Sequence, residues 1–215
     1  MQGIATRLAE VQQRIDAACH GERSVGLVSV SKRFDSHVVA AAITAGCTDL
    51  GENYAQELQA KAASLAEEGV QPRWHMIGPV QRNKVKRIAS VVHLWHSVDR
   101  ESLLTEISNR APGSAVLLQV NFTGEDSKSG AEPAQLGALL DAAAGLDLDV
   151  QGLMTMGPTD TSIDPRPTFE RCRAAVDHHG LRHCSMGMSG DFETAIAEGS
   201  TMVRIGSAIF GERPQ

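Results

Sequence analysis

Three stretches of this chain carry side chains that could do chemistry. The first ends at Lys32, which closes the run Val25-Gly-Leu-Val-Ser-Val-Ser-Lys32. An unbroken row of small and apolar β-formers reads as a strand covered on both faces, as in parallel sheets. Burial disfavours the charged ammonium, so a lysine at such a strand end presents more free amine at neutral pH. A free amine attacks an aldehyde to give a Schiff base. The plain alternative is a strand-end lysine reaching back into water, since lysine is seldom buried. The second stretch is Ser185-Met-Gly-Met-Ser189-Gly-Asp191, and the third is Arg204-Ile-Gly206-Ser207. Glycines let a backbone approach an anion, serines add hydroxyl donors, and free amides at a helix start point at it. Taken singly, Ser189 is also an ordinary helix cap and Gly206 an ordinary turn.

These residues need a scaffold, and the chain alternates strand and helix throughout. Ile4, Leu8, Val11, Ile15 and Ala18 recur at helical spacing, with Gly21 as a stop. Strand one runs to Lys32, and Ser36 caps a helix through Ala45 that Gly46 closes. Residues 48–53 read as strand two and 54–68 as a helix. Residues 74–77 are strand three, followed by Gly78-Pro79 and a basic helix over 81–89. Residues 92–97 are strand four, Asp99 caps a helix to Asn109, and 115–121 are strand five. A polar loop, 124–130, precedes a helix over 133–144. Residues 150–154 are strand six, a proline-rich loop reaches Pro167, and 168–179 are helical. Strand seven (183–185), a helix (191–198) and strand eight (202–205) complete the pattern. No link resembles a hairpin turn, so the sheet is parallel with helices outside it. Eight units predict an α/β fold with a single domain over 1–215, a (β/α)8 TIM-type barrel with an extra N-terminal helix. A doubly wound open sheet is the runner-up.

In a barrel the C-terminal strand ends form the functional face. Those ends here are Lys32, Asn53, His75 with Gly78, Ser97, Asn121, Met154, the loop 185–189, and Arg204 with Gly206 and Ser207. Barrel phosphate sites commonly form after strands seven and eight. A phosphate cradle there, facing a strand-one lysine, describes a phosphorylated aldehyde held at both ends. Pyridoxal 5′-phosphate is such a molecule.

Motifs along nearly the whole chain carry a resemblance. They are Val-Ser-Lys32, Leu50-Gly-Glu-Asn-Tyr54-x-Gln-Glu57, Trp74-His-x-Ile-Gly-x-x-Gln-x-Asn-Lys84, Gln119-Val-Asn121 and Asp126-Ser-Lys-Ser-Gly130. Gly152-Leu-Met154, Ser185-Met-Gly-Met-Ser189 and Val203-Arg-Ile-Gly206-x-Ala-Ile-Phe-Gly211 continue the series in order. The sequence resembles the pyridoxal-phosphate homeostasis proteins, a family similar to the N-terminal barrel of alanine racemase. The resemblance implies the type III pyridoxal-phosphate fold with Lys32 as the Schiff-base lysine. It also implies Ser189, Gly206 and Ser207 at the phosphate, Arg204 beside the pyridine nitrogen, and Asn53 on the ring side. Many members carry a second Lys followed by Pro after the Schiff-base lysine, where this chain has Phe34-Asp35. Lys128 is the remaining second amine.

An arginine at the ring nitrogen is permanently cationic and leaves the ring a weak electron sink. Racemisation then needs a second proton-transfer group on the opposite face. In racemases that group is a tyrosine on a separate domain of the other subunit. The chain has one tyrosine, Tyr54, and ends about ten residues after strand eight; His75 or Cys184 could substitute in principle. A non-catalytic carrier that buffers pyridoxal phosphate and passes it to apoenzymes is therefore the leading reading, and a small amino-acid racemase the alternative. Composition agrees with a soluble protein. A net charge of −6 argues against a general nucleic-acid or membrane binder, although Arg82, Lys84, Lys86 and Arg87 cluster. Glu10 and Asp16 break up the N-terminus, so it is not a signal peptide. Four scattered cysteines suit reduced thiols in a cytoplasmic protein, and with His178 and His179 they lack metal-site spacing. The absence of a racemase-type second domain points to a monomer.

Overall fold

The computed structural model describes residues 3–20 and 24–212. After helix α1 (Ile4–Ala18) come β1 (Gly26–Val30), α2 (Ser36–Thr44), β2 (Asp49–Glu52), α3 (Ala55–Glu67) and β3 (Arg73–Met76). Then follow α4 (Arg82–Ile88), β4 (Val92–Val98), α5 (Glu101–Arg110), β5 (Ser114–Gln119), α6 (Leu136–Ala144) and β6 (Leu148–Met154). The chain closes with α7 (Arg166–His178), β7 (His183–Ser185), α8 (Phe192–Ala197), β8 (Met202–Ile205) and α9 (Ser207–Phe210). The eight strands form a closed barrel in sequence order, every pair parallel. The seam is β1 against β8, in register from Gly26↔Met202 to Ser29↔Ile205. Closure sets aside the open doubly wound sheet.

Alternation along each strand divides the core. Outward residues such as Leu50, Trp74, Trp95, Val116, Leu153 and Val203 pack under the helices in one large cluster. Inward residues Leu94, Leu117 and Met154 form a second, smaller cluster within the barrel. The remaining interior is polar: His75, His96, Ser185 and Arg204 are all buried. Helix α1 covers the seam, packing on α2, α8 and α9. It buries Val11 and Ile15 and lays Arg14 over the Phe192 ring at 4.6 Å.

Several local expectations shift. Strand one stops at Val30, so Lys32 stands in the following turn. Asp35, not Ser36, caps α2, its carboxylate accepting from the Val38 amide at 2.9 Å. Arg100, not Asp99, is the N-cap position of α5, and Asp99 instead pairs with Arg100 at 2.5 Å. Helix α7 begins at Arg166, which puts Pro167 in its first turn, where no amide donor is required. Gly46 closes the α2 end at φ +111°. Gly21 lies outside the described residues. Among the described residues, no helix is long and apolar enough to cross a membrane.

Candidate functional site

The C-terminal ends of β7, β8, β1 and β2 are neighbours, and a cavity of about 280 Å³ opens among them. Lys32, Asn53, Ser189, Arg204, Gly206 and Ser207 all line it. Its apolar walls are Val30, Ile77, Met154, Met156 and Met188. The volume lies near the lower end of small-molecule pockets.

Lys32 is half-buried, in a turn closed by the Phe34 amide donating to the Ser31 carbonyl at 3.1 Å. Arg33, directly after it, adopts φ +67°, a costly conformation for a residue with a Cβ. A buried ionic cluster holds this turn. Lys61 on α3 donates to the Ser31 carbonyl at 2.8 Å and to Glu52 Oε1 at 2.6 Å. It also reaches Glu57 at 3.3 Å, and Glu57 in turn accepts the Arg33 amide at 2.8 Å. Ser31 Oγ donates to Glu52 Oε1 at 2.7 Å. Both backbone neighbours of Lys32 are thus fixed by the same cluster. Burial pushes the Glu52 carboxyl up against the opposing pull of Lys61. Phe34 stacks on Phe210 at 5.2 Å, tying the lysine turn to helix α9 after β8.

Opposite Lys32, two chain turns present donors. Among the described residues, the amides of Ser189, Gly190, Ser207 and Ala208 and the hydroxyls of Ser189 and Ser207 have no hydrogen-bond partner. Convergent free amides beside two hydroxyls make a cradle for an anion. Arg204, 5% exposed, forms the cavity floor. It donates to Ser185 Oγ at 2.7 Å and to the Thr155 carbonyl at 2.8 Å. Burial pulls it down to about 10, against the charge of Asp191, so it remains a cation at neutral pH. Asn53 is placed by Gly78: a Cβ there would stand 2.3 Å from the Asn53 carbonyl oxygen.

Other strand-end residues serve elsewhere. Ser97 donates to the Gly78 carbonyl, and Asn121 organises the turn at Thr123 and Gly124. His75 faces the barrel interior with Nε2 on Asp49, away from the mouth. Cys184 is buried against Cys172, with sulfurs 3.3 Å apart. Lys128 lies in an adjoining groove of about 650 Å³ that shares Met156, Met188 and Gly190 with the cavity. Its ammonium bonds the Gly157 carbonyl and pairs with Glu125 at 3.2 Å. Among the described residues, no group of three or more His, Cys, Asp or Glu is arranged to hold a metal ion. Sequence reasoning missed the Glu52–Glu57–Lys61 cluster. Its one visible signal is the i, i+4 spacing of Glu57 and Lys61, which starts at the last residue of a recognised motif.

The sequence profile of the alanine racemase N-terminal domain matches residues 7–214. The pyridoxal phosphate homeostasis protein of Pseudomonas aeruginosa is 42% identical over 99% of this chain and 97% of its own length. That of Aquifex aeolicus is 40% identical over 96% of this chain and 97% of its own. Among solved structures, PipY of Synechococcus elongatus with pyridoxal phosphate bound superposes with a TM-score of 0.84. It is 30% identical, covering 97% of this chain and all of PipY. Alanine racemase of Clostridium difficile shares the fold at a TM-score of 0.76 and 13% identity, over 57% of that chain.

Proposed function

The chain belongs to the pyridoxal phosphate homeostasis family, and on that footing we propose that it binds pyridoxal 5′-phosphate as a Schiff base on Lys32, buffers the cofactor and delivers it to apoenzymes. The observation that carries this reading is convergence. Lys32, Asn53, Ser189, Arg204, Gly206 and Ser207 come from four strand ends and line one cavity. The residues suit the cofactor group by group. Unpartnered amides and hydroxyls at Ser189, Gly190, Ser207 and Ala208 match a phosphate. A donor-only Arg204 on the floor matches a ring nitrogen that carries no proton. Lys32 would hold the cofactor through its aldehyde carbon, its amine displacing water to give a C=N bond. The bound group supplies an electrophilic carbon and an electron-withdrawing ring.

Side-chain placement favours a carrier over a racemase. Tyr54 is 45% exposed at the N-cap of α3 and lines a neighbouring groove. His75 and Cys184 are buried and face away from the cavity. The four cysteines are free and buried, which suits the reducing cytoplasm, and a monomer is the state we assign to the carrier.

The test is borohydride reduction of the purified protein followed by peptide mapping. A cofactor tag on Lys32, lost in Lys32→Ala, is the expected result. A colourless protein that takes up no added pyridoxal phosphate overturns the reading. Deuterium exchange at Cα of an amino acid, abolished in Lys32→Ala, would establish the racemase instead.

A further inference from the structure

Arg204 is a buried cation, and among the described residues no carboxylate lies within ion-pairing distance of it. We propose that Ser185, His96, His75 and Asp49 are positioning residues for Arg204, forming one directed hydrogen-bond relay through the barrel that ends on a carboxylate at the opposite end. Asp191 acts on the guanidinium only through space. Resting on the cofactor reading above, the inference adds what orients the guanidinium at the cavity floor.

The relay runs from β8 to β7, β4, β3 and β2. Arg204 Nη1 lies 2.7 Å from Ser185 Oγ. Ser185 Oγ lies 3.0 Å from His96 Nδ1. His96 Nε2 lies 2.8 Å from His75 Nδ1, and His75 Nε2 lies 2.9 Å from Asp49 Oδ1. With one proton on each imidazole, the two ends fix every proton between them. Arginine only donates, so Ser185 Oγ accepts from it and turns its own hydrogen toward His96 Nδ1. His96 then carries its proton on Nε2 and donates to His75 Nδ1. His75 carries its proton on Nε2 and donates to the carboxylate, which only accepts.

The flanking chemistry agrees. Burial, with lesser contributions from His75 and Arg204, holds His96 well below the usual histidine range, so it stays neutral. Burial would raise Asp49, but hydrogen bonds from His75, Arg73 and Thr48 outweigh it and hold Asp49 ionised. Arg73 grips that carboxylate at 2.7 and 2.6 Å. All four relay bonds point the same way, so each polarises the next and leaves Ser185 Oγ a stronger acceptor. The guanidinium is therefore oriented by a charge it never touches. At the far end a separate cavity of about 280 Å³, lined by Asp49, Arg73, His75, His93 and His183, opens the relay to solvent.

The experiment compares Ser185→Ala, Ser185→Thr, Asp49→Asn and the Ser185→Ala/Asp49→Asn pair in the full chain. It measures pyridoxal phosphate affinity and the visible absorption band of the bound cofactor. Ser185→Ala is expected to weaken binding about tenfold, as for loss of one charge-assisted bond, and to shift the band. Ser185→Thr keeps the hydroxyl and the wild-type band. Asp49→Asn, at the far end, shifts the band in the same direction. The double variant is no worse than Ser185→Ala, because a broken relay has nothing left to transmit. An unshifted band in Asp49→Asn, or additive losses in the double variant, overturns the relay. Should Ser185→Ala not fold, Asp49→Asn alone decides by its band. Failure of the wild-type protein to be tagged at Lys32 would instead overturn the cofactor reading, so the two failures are distinguishable.

Discussion

Replacing Lys61 by methionine keeps the aliphatic bulk of the side chain and removes the charge that holds the Lys32 turn. Glu52 is fully buried, and its second oxygen already has no partner. Without Lys61 its first oxygen keeps only the Ser31 hydroxyl. Breaking a buried pair from one side costs about 3–5 kcal/mol, because it strands the remaining charge. Protonation of Glu52 limits that loss. Burial already pushes this carboxyl up, and Lys61 is the largest influence pulling it down. A carboxyl raised in the folded state favours folding fully below its unfolded value, about 4.3, and that contribution is lost as pH rises through the folded value. Lys61→Met should therefore be less stable at about pH 8 than at about pH 5, by urea denaturation at both. A Lys61→Met/Glu52→Leu variant replaces the pair with apolar surface and should regain stability to within about 1 kcal/mol of wild type. It does not regain cofactor affinity, because the Ser31 carbonyl has still lost its donor. Two results would refute the reasoning: a single-variant loss under about 1 kcal/mol at both pH values, or wild-type affinity in the double variant.

Gly78→Ala forces a Cβ to 2.3 Å from the Asn53 carbonyl oxygen, so the loop after β2 must move. Isothermal titration should find weaker cofactor binding, with Asn53 displaced in a crystal structure. Ser189→Ala and Ser207→Ala each remove one hydroxyl from the anion cradle. Each should cost about fivefold to tenfold in affinity for pyridoxal phosphate and leave affinity for unphosphorylated pyridoxal unchanged. Asp35→Ala removes the α2 cap and should lower unfolding free energy by about 1 kcal/mol, measured by denaturant titration.

The fold is legible because its signal is redundant. Every strand is short and followed by a helical period, and eight such units leave few topologies open. Errors gather at ends, where one side chain decides. Asp35 and Ser36 are both good caps by type. The left-handed Arg33 that follows Lys32 delivers the chain so that Asp35 takes the extended cap geometry, φ −77° and ψ 170°. No composition rule separates the two, because the choice is made by the turn that holds the reactive lysine.

The site divides along the same line. Residues that line the cavity are readable, because glycine, serine, arginine and lysine at strand ends are unusual for packing and useful for chemistry. Residues that hold those residues in place are not. Lys61 is 30 positions from Ser31 and reaches its carbonyl only because a helix returns antiparallel to its strand, while Asp49 meets His75 only through barrel register. The trace they do leave is a polar residue at a buried, inward position of a strand: His75, His96 and Ser185. One such residue reads as tolerated polarity. Several at the same depth of one barrel must satisfy each other, since an unpartnered buried imidazole is costly. Strand order then decides which pairs can meet, so closure of the barrel turns scattered histidines into a connected path.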